Sequence, residues 1–151
     1  MAGSVTKIKL QQKLKGSKFI AVHCKGAIDS FYKALDSVSP AKRKSFERAI
    51  ILQIQRLLEL QIQRLLDGHR LSKENFPQEG NLPVKKGQSK AKKFNAFKRI
   101  PIRGYCWLSE THQNTYFISH YVYKDQVKLK DKDTLRVGNN WNRIEVNGDE
   151  C

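Results

Sequence analysis

Apolar residues recur along this chain in two rhythms, and the switch between them sets out the elements. A weak pattern at Val5, Ile8, Leu10 and Leu14 precedes the run Phe19-Ile20-Ala21-Val22, which predicts a first strand over residues 18–24. Ile28, Phe31, Tyr32, Leu35 and Val38 then fall at helical spacing and predict a short helix over 27–38. Ser39-Pro40 supplies a cap and a first helical residue for a long second helix, which Asp67-Gly68 ends after Leu66. Almost nothing separates the two helices, so an antiparallel helical hairpin is expected.

The strand rhythm follows. Pro77, Gly80, Pro83 and Gly87 make residues 69–87 read as loop. Phe97 to Arg103 reads as a strand that Pro101 confines to an edge, and Gly104 allows a bend before a second strand over Tyr105 to Ser109. A turn at 110–114 leads to Thr115–Tyr123, whose aromatic and β-branched residues make it the strongest strand by composition. Beyond Lys124, the mixture of Lys128, Lys130 and Lys132 with Asp131 and Asp133 reads as a solvated face. Val137 to Val146 reads as a turn and a final short strand. The expected fold is therefore α+β: an N-terminal strand and a helical hairpin packed on a small, mostly antiparallel sheet. Residues 1–17 read as a mobile basic extension, 18–146 as one domain and 147–151 as a frayed end.

The long helix contains an internal repeat, Leu52-Gln53-Ile54-Gln55-Arg56-Leu57-Leu58 recurring as Leu60-Gln61-Ile62-Gln63-Arg64-Leu65-Leu66. An offset of eight turns the second copy by roughly 80° around the axis, so the copies are expected not to share one clean apolar stripe. Gln61 falls within the face set by Ile50, Ile54, Leu57 and Leu58. An eight-residue period suits no coiled coil. The repeat reads as a duplication that lengthens the helix and leaves apolar surface for a partner.

Charge narrows the function. The net charge is +15, and from Gly80 to Ser109 there is no acidic residue among Lys85, Lys86, Lys90, Lys92, Lys93, Lys98, Arg99 and Arg103. Such a segment attracts an anionic partner, with nucleic acid first, an acidic protein second and an anionic membrane third. The three cysteines, Cys24, Cys106 and Cys151, are odd in number and lack metal-ligand spacing, which favours a reducing cytoplasm over a disulfide framework or zinc site. No apolar run reaches the ~20 residues of a bilayer span, and no signal-peptide h-region is present.

With that order of elements, the chain resembles the RelE/ParE superfamily of bacterial toxins. The resemblance rests on Leu65-Leu66-Asp67-Gly68 at the end of the hairpin, on Phe97-Lys98-Arg99-Ile100-Pro101-Ile102-Arg103-Gly104-Tyr105, and on Tyr116 to Tyr123 closing on Lys124. It covers about residues 18–124. It implies a toxin held inactive by a cognate acidic antitoxin. The toxin would be a metal-independent endoribonuclease acting on mRNA, often at the ribosome, or a gyrase inhibitor of the ParE branch. The residues alone also allow a nucleic-acid or ribosome-binding protein without catalysis.

RNA cleavage without a metal needs a base for the 2′-hydroxyl proton, cations for the phosphorane charge and an acid for the leaving 5′-oxygen. Arg99 and Arg103, read along one strand, share a face and suit bidentate phosphate binding; the competing reading is a solvated outer face. His120 has an ordinary pKa near ~6.5 and is the histidine best placed for proton transfer, or else a satisfied core histidine. Tyr123 shares a face with Tyr121, opposite His120, and suits stacking, proton donation or the core. Lys124 completes the candidate catalytic set through the family pattern. Lys85, Lys86, Lys90, Lys92, Lys93, Lys98 and Arg143 are candidates for RNA binding. Phe94 and Phe97, interleaved with the lysines, suit a stacking platform or the core, and Trp141 is a weaker candidate. No metal, small-molecule cofactor or membrane partner is expected.

Overall fold

The strand-forming residues between 93 and 123 build the centre of the molecule, and helices drawn from both ends of the chain cover its two faces. The computed structural model describes residues 10–37, 47–84, 87, 90–99, 102–123 and 129–149; at 47–53 and 99 it describes the backbone alone. The strands are β1 (Lys13–Lys15), β2 (Ile20–His23), β3 (Gln78–Asn81), β4 (Lys93–Arg99), β5 (Ile102–Leu108) and β6 (Thr115–Tyr123). They form one sheet in the order β1-β2-β6-β5-β4-β3. β2 runs parallel to β6, and every other neighbouring pair is antiparallel. The α+β class and the mostly antiparallel sheet are as the residue pattern implies.

Helices α1 (Ala27–Asp36) and α2 (Glu47–Leu66) lie on one face. Phe31 and Leu35 of α1 and Ile54, Leu58, Ile62 and Leu66 of α2 pack there against Phe97, Ile102, Cys106, Ile118 and Tyr121. Helix α3 (Asp131–Trp141), prolonged by a π-helical turn over Asn142–Val146, covers the other face. Its Val137, Trp141 and Ile144 meet Phe94, Ala96, Tyr105, Trp107 and Phe117. Burying both faces accounts for the near-continuous burial of β5 and β6, where a sheet with one wet face would alternate.

Several expectations change. Leu10 is buried and donates its N–H to the Tyr32 hydroxyl at 2.8 Å, and β1 pairs with β2, so the domain begins by residue 10 rather than 18. The segment 69–87 contains an edge strand, β3, despite its prolines and glycines. Residues 97–103 are not one strand: β4 ends at Arg99 and β5 begins at Ile102, and the two pair antiparallel. Gly104 sits inside β5. A Cβ there would lie 2.6 Å from the Tyr121 ring, so the glycine admits a tyrosine rather than a bend. The expected turn and final short strand within 137–146 are helical. Asp133, Val137, Asn140, Trp141 and Ile144 are buried at helical spacing, with Glu145 buried beside them, and Asp131 and Asp133 suit the positive end of the helix dipole.

The repeat also packs differently from its reading. Ile54 and Ile62, and likewise Leu58 and Leu66, occupy equivalent places in the two copies and are all buried. A core-facing arc of more than ~100° absorbs the ~80° offset. Gln61 is buried within that face, as its position implies, and its Nε2 donates to the Lys98 carbonyl at 3.3 Å. Among the described side chains of the repeat, Leu57 is half-buried and Leu60 is 55% exposed.

Candidate functional site

The α3-facing side of the sheet carries more polar groups than a core face ordinarily holds, and two β-bulges place them. In β3 the register breaks between Gln78 and Gly80, which sets Glu79 in a bulge. In β6, Ile118 pairs with Cys106 and His120 with Tyr105, leaving Ser119 as the extra residue. A bulge re-aims side chains. Here Ser119 and His120 both reach partners on α3.

His120 is fully buried. Its Nε2 lies 3.1 Å from Asp133 Oδ1 and its Nδ1 2.8 Å from Ser119 Oγ, while Asn140 Nδ2 donates to Ser119 Oγ at 2.8 Å. These contacts fit one neutral tautomer: Nε2–H donates to the carboxylate, and Nδ1 accepts the serine hydroxyl proton. Burial holds the His120 pKa below its ordinary value and the Arg136 charge adds to this, against the pull of Asp133. The imidazole is thus uncharged at neutral pH.

Arg103, one pair further along β5, donates from Nη1 to Glu79 Oε1 at 3.2 Å, with its side chain 7% and the glutamate's 13% exposed. Tyr105 stands between the two pairs on the same face, its ring centroid 5.2 Å from that of His120. Burial raises its hydroxyl pKa, and the Asp133 and Glu79 carboxylates raise it further. Lys98 is the cross-strand partner of Arg103 and half-buried beside it. Around this cluster Lys130, Lys132 and Arg136 are exposed. The far end of α3 is tied down by Glu145, whose carboxylate accepts from Ser109 Oγ and the Glu110 N–H, both at 2.7 Å.

The sequence candidates divide accordingly. Arg103, His120 and Lys98 come together on the α3 side. Arg99 stands opposite Ile102 and Arg103 opposite Lys98, so the two arginines hold register positions of opposite parity and do not form the expected shared clamp. They belong to two antiparallel strands, where one strand was expected, and this is the reason. Tyr123 is half-buried against the helix-side core, across the sheet from His120. Tyr121 beside it is a core residue whose hydroxyl lies 2.7 Å from His23 Nε2. Lys124, Lys85 and Lys86 lie outside the described residues.

Phe94 and Phe97 are fully buried, on opposite faces, and Trp141 is 4% exposed, so none offers a stacking surface. Phe94 instead meets Tyr105 edge to face at 5.8 Å. Lys90, Lys92 and Lys93 are exposed, with Lys92 Nζ against Glu110 Oε1 and Lys93 Nζ 3.4 Å from Asn81 Oδ1. Arg143 is half-buried and donates to Asn140 Oδ1 at 3.2 Å.

Sequence reading missed Glu79, Tyr105, Ser119, Asp133 and Asn140. For Asp133 and Asn140 a signal existed, since they fall in helical register with Val137, Trp141 and Ile144; the Gly138-Asn139-Asn140 run masked it as a turn. Cys24 and Cys106 are buried, and burial raises the Cys106 thiol pKa. Among the described residues no group of three or more His, Cys, Asp or Glu side chains is placed to hold a metal ion, and no helix is long and apolar enough to cross a membrane. Comparison with protein-family models, with curated proteins and with solved structures finds no match to this chain.

Proposed function

We propose that this protein is a translation-inhibiting toxin of the RelE/ParE type, which binds RNA electrostatically and cleaves it without a metal on the sheet face beneath α3. The observation that carries this reading is the pair of bulges that brings His120–Asp133 and Arg103–Glu79 onto one face beside Lys98. In the reaction the 2′-oxygen bonds to phosphorus as the P–O5′ bond breaks. Nδ1 of the neutral His120, released by the Ser119 hydroxyl, accepts the 2′-hydroxyl proton, Asp133 stabilises the imidazolium that forms, and Arg103 and Lys98 offset the charge of the phosphorane. The proton then passes to the departing 5′-oxygen. Lys90, Lys92, Lys93, Lys130 and Lys132 hold the backbone without reading sequence. The cytoplasm, mRNA with or without the ribosome, and an acidic antitoxin belong to the same reading.

One observation favours a second reading. His120 and Arg103 are buried under α3, so cleavage requires the helix to yield to the RNA, whereas the exposed lysines need no rearrangement to bind it. A protein that binds RNA or the ribosome without cutting satisfies the latter alone. A cell-free translation reaction with mapping of the transcripts separates them. Cleaved messages support the toxin reading, and stalled translation on intact messages supports the binding protein. Intact messages and normal translation, with arrested DNA replication in cells, support a gyrase-directed toxin instead.

A further inference from the structure

We propose that Tyr105 and Trp107 form a base-binding subsite beneath α3, which takes a nucleobase of the bound RNA beside the phosphate that Arg103 grips and prefers guanine or uracil to adenine or cytosine. The inference rests on the RNA reading above and names the substrate feature that the site selects.

Two buried donors point to it. Tyr105 is 0% and Trp107 2% exposed, and neither the Tyr105 hydroxyl nor Trp107 Nε1 has a hydrogen-bond partner. The charge of Arg103 acts on the tyrosine oxygen, but a guanidinium offers no acceptor for the hydroxyl proton. Buried donors are satisfied in the great majority of cases, so two on one strand call for an explanation. Helix α3 does not supply their acceptors. It lays Val137, Trp141 and Ile144 on this cluster, while Asp133 turns to His120, Asn140 to Ser119 and Glu145 to the turn after β5.

Placement and chemistry select the ligand. Arg103, Tyr105 and Trp107 occupy alternate positions of β5, about 7 Å apart at each step, so a strand held by Arg103 runs past the other two. Both rings are fixed from the side, Trp107 stacked on Phe117 at 5.5 Å and Tyr105 edge to face with Phe94. Once α3 yields, as cleavage itself requires, the rings and their donors meet the RNA. A phosphate is drawn to Arg103 and Lys98 in preference to neutral donors. A peptide strand brings donors and acceptors in equal number, whereas the two free groups here are both donors. A nucleobase brings a face to stack and acceptors at its edge. Guanine O6 and uracil O4 accept, whereas adenine and cytosine carry an amino donor in the same place.

The test uses the full chain and chimeric oligonucleotides, 2′-O-methylated at every position except one ribonucleotide, so that a single bond can be cut. The base on each side of that bond is varied in turn. For the parent, kcat/KM is expected to favour guanine or uracil at one flank by about fivefold or more. Tyr105→Phe and Trp107→Phe keep a ring and delete a donor; together they are expected to bring the preference below about twofold. A preference that survives both substitutions would overturn the proposal. A second readout is independent of cutting. In Trp141→Phe, Trp107 is the only tryptophan, and a fully 2′-O-methylated oligonucleotide is expected to quench its emission on binding. Binding seen by anisotropy without a change in that emission would overturn the base subsite and leave cleavage by the parent standing. Quenching with no cutting by the parent would support the subsite and remove the cleavage reading. Stability supplies a third readout, since Tyr105→Phe deletes a hydroxyl without an acceptor and is expected to melt no lower than the parent. A melt lower by more than about 4 °C would give that hydroxyl a structural partner and overturn the proposal.

Discussion

Arg103→Ala separates a gripping arginine from a structural one, and the structure sets the size of the effect. Arg103 is 5% exposed and its guanidinium is held by Glu79, whose own side chain is 13% exposed. Truncation leaves a carboxylate out of water without its cation. Removing one partner of a buried pair costs about 3–5 kcal/mol, and the partial exposure of Glu79 places this case near 3 kcal/mol. For a chain of this size that lowers the melting temperature by roughly 6–12 °C. Replacing both members by apolar residues, Arg103→Met with Glu79→Leu, removes the orphaned charge and is expected to recover most of the loss, to within about 1 kcal/mol of the parent. The assay is thermal and urea unfolding of the parent, both single variants and the double. A single variant that melts within about 2 °C of the parent would refute the reasoning. It would mean that Glu79 reaches water freely and that Arg103 contributes no buried pair.

Other outcomes follow from the same geometry. Deleting residues 52–59 moves Phe46 and Ile50 into the sequence places of the buried Ile54 and Leu58, so the shortened chain is expected to fold, with a cooperative melt and an unchanged strand signal in circular dichroism. Burial depresses the pKa of both His23 and His120, so below about pH 6.5 the unfolded chain takes up protons that the folded one refuses. Stability should therefore fall as pH drops from 7.5 to 5.5, by up to about 1.4 kcal/mol per pH unit for each histidine, and His120→Gln should make that slope shallower. Gly104→Ala sets a methyl group against the Tyr121 ring and is expected to cost about 1–3 kcal/mol in urea unfolding. Replacing Lys90, Lys92 and Lys93 by alanine should weaken RNA binding and flatten the dependence of log affinity on log salt, by up to about one unit of slope for each phosphate that is no longer neutralised.

Much of the architecture was legible because apolar periodicity reports burial directly. The run Thr115–Tyr123 and the spacing of Ile28, Phe31 and Leu35 announce β6 and α1 without ambiguity. The misread stretches share a cause: residues that usually signal turns are used here for close packing. Gly80 lies against the Phe94 ring, where a Cβ would come within 2.7 Å, and so sits in a strand rather than a loop. Asn140 is buried as a donor to Ser119, which hides the helical face of α3 behind a turn-like Asn-rich run.

The site was less legible for a geometric reason. Strand alternation assigns faces only while the strand is regular, and both the division of 97–103 between β4 and β5 and the bulge at Ser119 shift the count. The alternation of His120 against Tyr123 survives because the bulge precedes both. The partners that make His120 and Arg103 chemically interesting, Asp133 and Glu79, lie in segments whose polarity reads as solvated, and only tertiary contact reveals them.

The central claim, cleavage through the 2′-hydroxyl on the face beneath α3, is tested most directly by the ends of RNA incubated with the protein in the presence of EDTA. The account expects fragments with 2′,3′-cyclic phosphate and 5′-hydroxyl termini from the parent, and their loss in a folded His120→Gln variant that still binds RNA. Undamaged RNA with the parent, or undiminished cutting by His120→Gln, would contradict it.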